Sequence, residues 1–250
     1  MSYILIDRAG KSHFISDATK NFHTKDGFVK SSDLCDDSVG KEILSSKGKP
    51  FYLIKANDSD LFSRLKRKPQ AIMRKDLGFI LANSFVGKNS VCIDCGTGSG
   101  FCSVFLAEHT KKVYSIDVNP ENTEIAKENV KRMNLDNVVF LNLDFQMPID
   151  DDSIVSKKVD LVVLDIPQPW EAIDNVLKFL NIGGFLISYS PSVNQVSHTN
   201  AKLLESRKFI VLKNSQLVEF PWKITNQVQR PESSILLHTA FLTVARRVLE

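Results

Sequence analysis

The stretch that most constrains this chain is Asp94-Cys95-Gly96-Thr97-Gly98-Ser99-Gly100, which follows the apolar run Ser90-Val91-Cys92-Ile93. A short apolar run, a glycine-rich turn and the segment Phe101 to His109 read as strand, loop and helix. Glycines there permit backbone angles that other residues resist and leave bare peptide for a ligand to lie against. The spacing also serves dinucleotide folds and tight structural turns, so alone it only favours a nucleotide-like ligand. No Gly-Lys-Ser/Thr follows, which argues against a triphosphate cradle. Lys112-Val113-Tyr114-Ser115-Ile116-Asp117 is a second strand that ends in a carboxylate, where a doubly wound sheet offers an acid to a ribose diol.

From the loop onward the pattern alternates strand and helix, which predicts an α/β fold with a doubly wound, mostly parallel sheet. Asn119-Pro120-Glu121 opens a helix through Ile125 and Val130, and Val138 to Asp144 is a third strand. Val159 to Asp165 is a nearly all-apolar fourth strand and is expected to be central. A helix from Trp170 to Leu180 stops at Asn181-Ile182-Gly183-Gly184 before a fifth strand, Phe185 to Tyr189. Asn194 to Lys208 is a further helix, and Phe209 to Leu212 with Thr239 to Ala245 remain as an antiparallel edge pair. Ahead of the loop, Tyr3 to Ile6, Ser12 to Ile15 and Pro50 to Ile54 suit a small β domain over residues 1–56. Residues 57–89 read as a helical connector, with a short helix capped at Asn57 that runs through Leu61, Leu65 and the basic run, and residues 90–250 as the main domain.

Composition narrows the class. Hydrophobic residues at 43% and charged residues at 24% of 250 are ordinary globular values and exclude a disordered chain. No long apolar span or signal pattern follows Met1, so a soluble cytoplasmic protein is expected. A net charge of +3 does not establish an acidic partner, but Arg64-Leu65-Lys66-Arg67-Lys68 and Arg74-Lys75 concentrate positive charge just ahead of the loop. Such a run is either a solvated face or a nucleic-acid contact. Cys92 and Cys95 have CxxC spacing, yet no second pair completes a zinc set, so they read as buried small hydrophobes and no metal is expected.

Strands one to four each end in an acid: Asp94, Asp117, Asp144 and Asp165. Ligands of open α/β sheets bind outside the carboxyl ends of the strands, so several of these acids are expected to line one crevice. With Asp117 on a ribose diol and Asp144 on an adenine amino group, the set suits S-adenosylmethionine better than NAD, because the loop reads GTGSG. Asp165-Ile166-Pro167-Gln168-Pro169-Trp170 holds an acid, an amide and a ring on a backbone fixed by two prolines. A flat base could stack there while the acid reads its edge, although a proline-rich turn with a core Trp fits the spacing equally well.

Taken together, these residues resemble the tRNA (adenine-N1)-methyltransferase family, which makes 1-methyladenosine in the T loop of tRNA. Phe22-His23-Thr24-Lys25-Asp26-Gly27 is similar to its N-terminal motif, Arg67-Lys68-Pro69-Gln70 with Lys75-Asp76 to its basic-Gln…Lys-Asp segment, and Asp94 to Gly100 to its cofactor loop. Asp165 to Trp170, Ser190-Pro191 with Gln195-Val196, and Arg230-Pro231 with His238-Thr239 and Ala245-Arg246 resemble its remaining motifs, in order. The resemblance implies a class I, Rossmann-like methyltransferase fold, a homotetramer and tRNA as partner, with Asp165 as the catalytic acid. It implies cofactor contacts from Gln70, Gly96, Thr97, Gly98, Ser99, Gly100, Phe101, Asp117, Asn122, Asp144, Phe145 and Asp165. Arg67, Lys68, Met73, Tyr189, Gln195 and His238 become candidates for the substrate side, with Gln70 also at the base pocket. Met73-Arg74, Asn122 and Leu237 depart from residues common in the family (Tyr-Pro, Arg and Gly). The competing readings are a non-catalytic tRNA-binding subunit, which would be expected to lose the loop or Asp165, and a methyltransferase acting on a protein or small molecule.

Overall fold

A computed structural model describes residues 2–68, 71–149 and 158–250 and divides the chain into two units, Met1–Leu65 and Lys66–Glu250. In the first, β1 (Tyr3–Asp7), β2 (Ser12–Ile15), β5 (Glu42–Leu44) and β6 (Pro50–Lys55) form an antiparallel sheet in the order β2-β1-β6-β5, while β3 (Phe22–Thr24) and β4 (Gly27–Val29) make a separate hairpin. The alternation of β6 explains its role, since Phe51 and Leu53 are fully buried and Tyr52 between them is exposed. Strands β3, β4 and β5 are three residues each and gave no periodic signal in the sequence. Helix α1 (Asp58–Phe62) begins at a capping box, in which the Asn57 side chain accepts from the Asp60 N–H and the Asp60 side chain from the Asn57 N–H. It ends before the basic run, contrary to the helix expected through Leu65. The last turn tightens there instead, the Arg64 N–H donating to the Leu61 carbonyl three residues back and the Ser63 hydroxyl to the Ser59 carbonyl.

The second unit carries α2 (Arg74–Ser84), β7 (Val91–Cys95), α3 (Phe101–His109), β8 (Lys112–Ile116), α4 (Pro120–Arg132), β9 (Val138–Leu141) and β10 (Val159–Leu164). A 3-10 turn at Pro169–Ala172 leads into α5 (Ile173–Phe179), followed by β11 (Leu180–Ser190), α6 (Val193–Ser206), β12 (Phe209–Gln216), β13 (Trp222–Ile224), β14 (Gln229–Pro231) and β15 (Phe241–Arg247). Seven strands form one sheet in the order β12-β15-β11-β10-β7-β8-β9; β15 runs antiparallel to β11 and β12, and the other pairs are parallel. β10 is central, as its apolar sequence predicts: Leu161, Val162, Val163 and Leu164 are all fully buried. The stop expected at Asn181–Gly184 lies inside β11, where the register with β10 jumps from Val159–Leu180 to Leu161–Phe185. Over that jump β11 advances five residues while β10 advances two, and Gly183 within the extra length takes φ +80°. Chain order reverses between β7 and β10, so the switch point falls at the carboxyl ends of these two strands.

Candidate active site

Beyond β7 the chain turns on three left-handed glycines, Gly96 (φ +89°), Gly98 (φ +52°) and Gly100 (φ +79°). A Cβ on Gly96 would overlap the Asp165 carbonyl, and one on Gly100 would lie 2.7 Å from the Ala126 methyl; Gly98 instead faces open space. Two glycines thus bring the loop against β10 and α4, and the third leaves bare backbone at a crevice. The crevice has two lobes that share Gly96, Asp117 and Asp165.

One lobe, about 220 Å³, is bounded by Lys68, Thr97, Gly98, Ser99, Phe101 and Asn122. Asp117 is fixed there: its Oδ2 accepts from the Gly98 N–H at 2.9 Å and from Asn122 Nδ2 at 3.1 Å, and its Oδ1 from the Asn119 N–H at 2.8 Å. The Thr97 side chain turns away to Ser115 Oγ at 2.7 Å, so only its backbone faces the lobe. Ser99 Oγ is buried with no partner. The other lobe, about 190 Å³, has apolar walls from Ile116, Val118, Leu143, Ile166 and Pro167, with Asp144 and Gln146 among its lining. Gln146 Nε2 donates to Asp144 Oδ1 at 3.2 Å, and Gln146 Oε1 is buried without a partner. The side chain of Phe145 belongs to the core, 6.1 Å from Phe179 between ring centroids, so its backbone is what borders the lobe.

Asp165 sits where the lobes meet, its N–H bonded to the Cys95 carbonyl at 2.8 Å. Burial, followed by the nearby Asp94 and Asp117 carboxylates, pushes its carboxyl up to about 7. Asp94 is fully buried; burial raises it to about 6, against the Ser103 hydroxyl that donates to its Oδ2, and its Oδ1 has no partner. The crevice thus brings together the carboxylates of Asp117, Asp144 and Asp165, with Asp94 buried nearby, an arrangement that suits a ligand with positive charge.

Several candidates lie outside both lobes. Arg67 donates to Met73 Sδ at 3.0 Å and stands 5.9 Å over the Phe101 ring. Tyr189 donates to Asp76 Oδ2 at 3.3 Å, and burial raises its phenol above the usual range. Gln195 Nε2 donates to the Pro167 carbonyl at 2.9 Å, which ties the start of α6 to the proline-rich turn. His238 Nε2 contacts the Pro191 carbonyl at 2.8 Å and packs on Phe241. Gln70 lies outside the described residues. Sequence reasoning missed two polar residues, Gln146 and Asn129, whose Nδ2 donates to the carbonyls of Ser99 (2.8 Å) and Lys66 (2.9 Å), and it quoted Asp76, which is fully buried, only as part of the Lys75-Asp76 motif. Asn129 had a readable signal, a polar residue on the apolar stripe Ala126–Val130 of α4.

Sheet order, glycine loop and acid-lined crevice together define a class I, Rossmann-like methyltransferase. A family profile described as tRNA methyltransferase complex GCD14 subunit matches residues 51–228. The tRNA (adenine(57)-N(1)/adenine(58)-N(1))-methyltransferase TrmI of Methanocaldococcus jannaschii is 30% identical, over 97% of this chain and 94% of its own. Among solved structures, a SAM-dependent O-methyltransferase from Thermotoga maritima superposes with TM-score 0.86 at 27% identity, covering 100% of this chain and 93% of that one. The tRNA (m1A58) methyltransferase TrmI from Aquifex aeolicus shares the fold, with TM-score 0.81 at 24% identity over 100% of this chain and 98% of its own. This chain belongs to the tRNA methyltransferase complex GCD14 subunit family. Among the described residues, no group of three His, Cys, Asp or Glu side chains is arranged to hold a metal ion, and no helix is long and apolar enough to cross a membrane.

Proposed function

We propose that the protein is a tRNA (adenine-N1)-methyltransferase that uses S-adenosylmethionine and acts on the T-loop adenine at position 58, the activity named for its TrmI relatives. The observation that carries the reading is Asp165 at the junction of the two lobes, in a chain of this family. The residues present fit the cofactor. An apolar slot with Asp144 and the unpartnered Gln146 Oε1 suits an adenine, Asp117 a ribose, and the bare Gly98 with the orphaned Ser99 hydroxyl an amino-acid tail. When bound, S-adenosylmethionine supplies an electrophilic methyl group on a sulfonium.

Adenine N1 already carries a lone pair, so its methylation requires no base but leaves a positive charge on the ring. Asp165 accepts from the exocyclic amine of the target and stabilises that charge as it develops. The rigid Pro167 and Pro169, with Gln195 clamped on the Pro167 carbonyl, fix where the acid stands. The adenine must leave the base stack at a cost of a few kcal/mol, which phosphate contacts from the basic segment offset. The protein assembles into a homotetramer; apolar side chains left exposed on one chain at Phe220, Trp222, Ile224 and Leu236 support self-association.

The T. maritima neighbour is described as an O-methyltransferase. An oxygen acceptor loses a proton on methylation, and an Asp165 that titrates near neutrality could take it, so this second reading needs a direct test. tRNA incubated with the protein and methyl-labelled cofactor is digested to nucleosides and analysed by mass spectrometry. Label in 1-methyladenosine is expected. Label only in ribose-methylated nucleosides, or none in tRNA, would overturn the proposal.

A further inference from the structure

Lys68 belongs by sequence to the basic run, yet its ammonium points into the acid-lined crevice. Nζ donates to Asn122 Oδ1 at 2.7 Å, and Asn122 Nδ2 donates to Asp117 Oδ2 at 3.1 Å. The path of the chain here is pinned two residues earlier, where the Asn129 amide both donates to the Lys66 carbonyl and accepts from the Lys66 N–H at 2.8 Å. Lys66 is also paired with Glu128 on the same helix.

An acceptor count shows why the link matters. A carboxylate offers about four acceptor sites. On Asp117, the Gly98 N–H and Asn122 Nδ2 fill those of Oδ2, and the Asn119 N–H takes one on Oδ1. One site remains for a ribose that presents two hydroxyls. The second hydroxyl needs another acceptor, and Asn122 Oδ1, in the same lobe and oriented by the Lys68 ammonium, offers one. A lysine donor also fixes which end of the Asn122 amide faces Asp117.

We infer that Lys68 and Asn122 complete a three-residue ribose clamp with Asp117, so that Lys68 is a positioning residue of the cofactor site rather than a phosphate contact. The inference rests on the proposed cofactor reading and adds to it a residue that the basic run had assigned to tRNA.

Two ligands separate the possibilities: S-adenosylhomocysteine, and 5′-methylthioadenosine, which keeps adenine and ribose but lacks the amino-acid tail. Calorimetry on Lys68→Met is expected to show both bound about 3- to 10-fold more weakly, the scale of one lost hydrogen bond within a charged network. Asn122→Ala should weaken both likewise, and the double variant should lose little more than either single one, because the two act as a unit. The salt dependence of tRNA binding should be unchanged in Lys68→Met. Loss confined to S-adenosylhomocysteine would place Lys68 on the tail and overturn the clamp. Unchanged affinity for both ligands, or additive losses in the double variant, would overturn it too. If the unaltered protein binds neither ligand, the cofactor reading falls, and the clamp with it.

Discussion

At the scale of single residues, the electrostatics of Asp94 and Asp165 make a prediction about pH. Both carboxyls are raised by burial from an ordinary value of 3.8, to about 6 and about 7. Between these limits and the unfolded value the folded chain binds more protons than the unfolded one, so stability falls as pH rises. The contribution is fully present below pH 3.8 and is lost as pH climbs through about 7. A sulfonium beside the ionised acids reverses the balance, because its charge is attracted only once they deprotonate. The preference for S-adenosylmethionine over S-adenosylhomocysteine, which share the same tail, is therefore expected to rise between about pH 6 and 8. Calorimetry at several pH values checks this, and a flat ratio would mean that the sulfonium does not lie near these carboxylates. The same residues show what sequence could tell. Asp117 and Asp165 were legible because each directly follows an apolar run, where a strand ends; the same expectation for Asp94 and Asp144 is corrected, since Asp94 lies inside β7 and β9 already ends at Leu141. Gln146 was not legible, because it lies beyond β9 with no periodic pattern around it, and the roles of Asn129 and of Asp76, the latter quoted only within its motif, depend on distant partners: Thr239 donates to Asp76 from 163 positions away, and Asn129 reaches Ser99 across 30.

At the scale of elements, the crevice depends on how closely the glycine loop approaches β10. Gly96→Ala drives a methyl into the Asp165 carbonyl at a backbone angle that resists side chains, and should force β7 and β10 apart at their carboxyl ends. Gly98→Ala meets nothing closer than the Gly96 carbonyl at 3.9 Å, so only left-handed strain of about 1 kcal/mol is expected. The first variant should lose cofactor binding and show a much lower Tm, and the second should keep a near-normal Tm; equal effects would contradict this description of the loop. On the far side of the crevice, α6 is coupled to the proline-rich turn through Gln195. Gln195→Ala is expected to lower kcat about 10-fold while cofactor affinity stays unchanged, since a misplaced acid impairs only the chemical step. Steady-state kinetics beside calorimetry would show it, and a loss of cofactor affinity instead would contradict the assignment. The elements themselves were readable in proportion to their length. Strands β7, β8 and β10 announced themselves as apolar runs, whereas the three-residue β3, β4 and β5 offered no period to detect. The continuation of β11 through Asn181–Gly184 was hidden because turn-forming residues there sit within the strand at a shift of register.

At the scale of the whole molecule, the exposed apolar side chains of the β13–β14 region and its flanks bear on assembly. Phe220, Trp222 and Ile224 are 58%, 58% and 73% exposed on the single chain. Light scattering is expected to give a multiple of 28.1 kDa consistent with four chains, and Trp222→Glu with Ile224→Glu should reduce it. An unaltered mass in that variant would move the interface elsewhere on the surface. The claim that joins fold to function is that Asp165 stands between cofactor and adenine in the assembled tRNA complex. Asp165→Asn keeps the shape of the side chain and removes its charge. Single-turnover methylation, with variant and tRNA both above their dissociation constants, measures the chemical step directly. The rate of 1-methyladenosine formation should fall by about 10²–10³, with tRNA affinity little changed because phosphate contacts supply most of the binding. A near wild-type rate for the Asn variant would contradict the account.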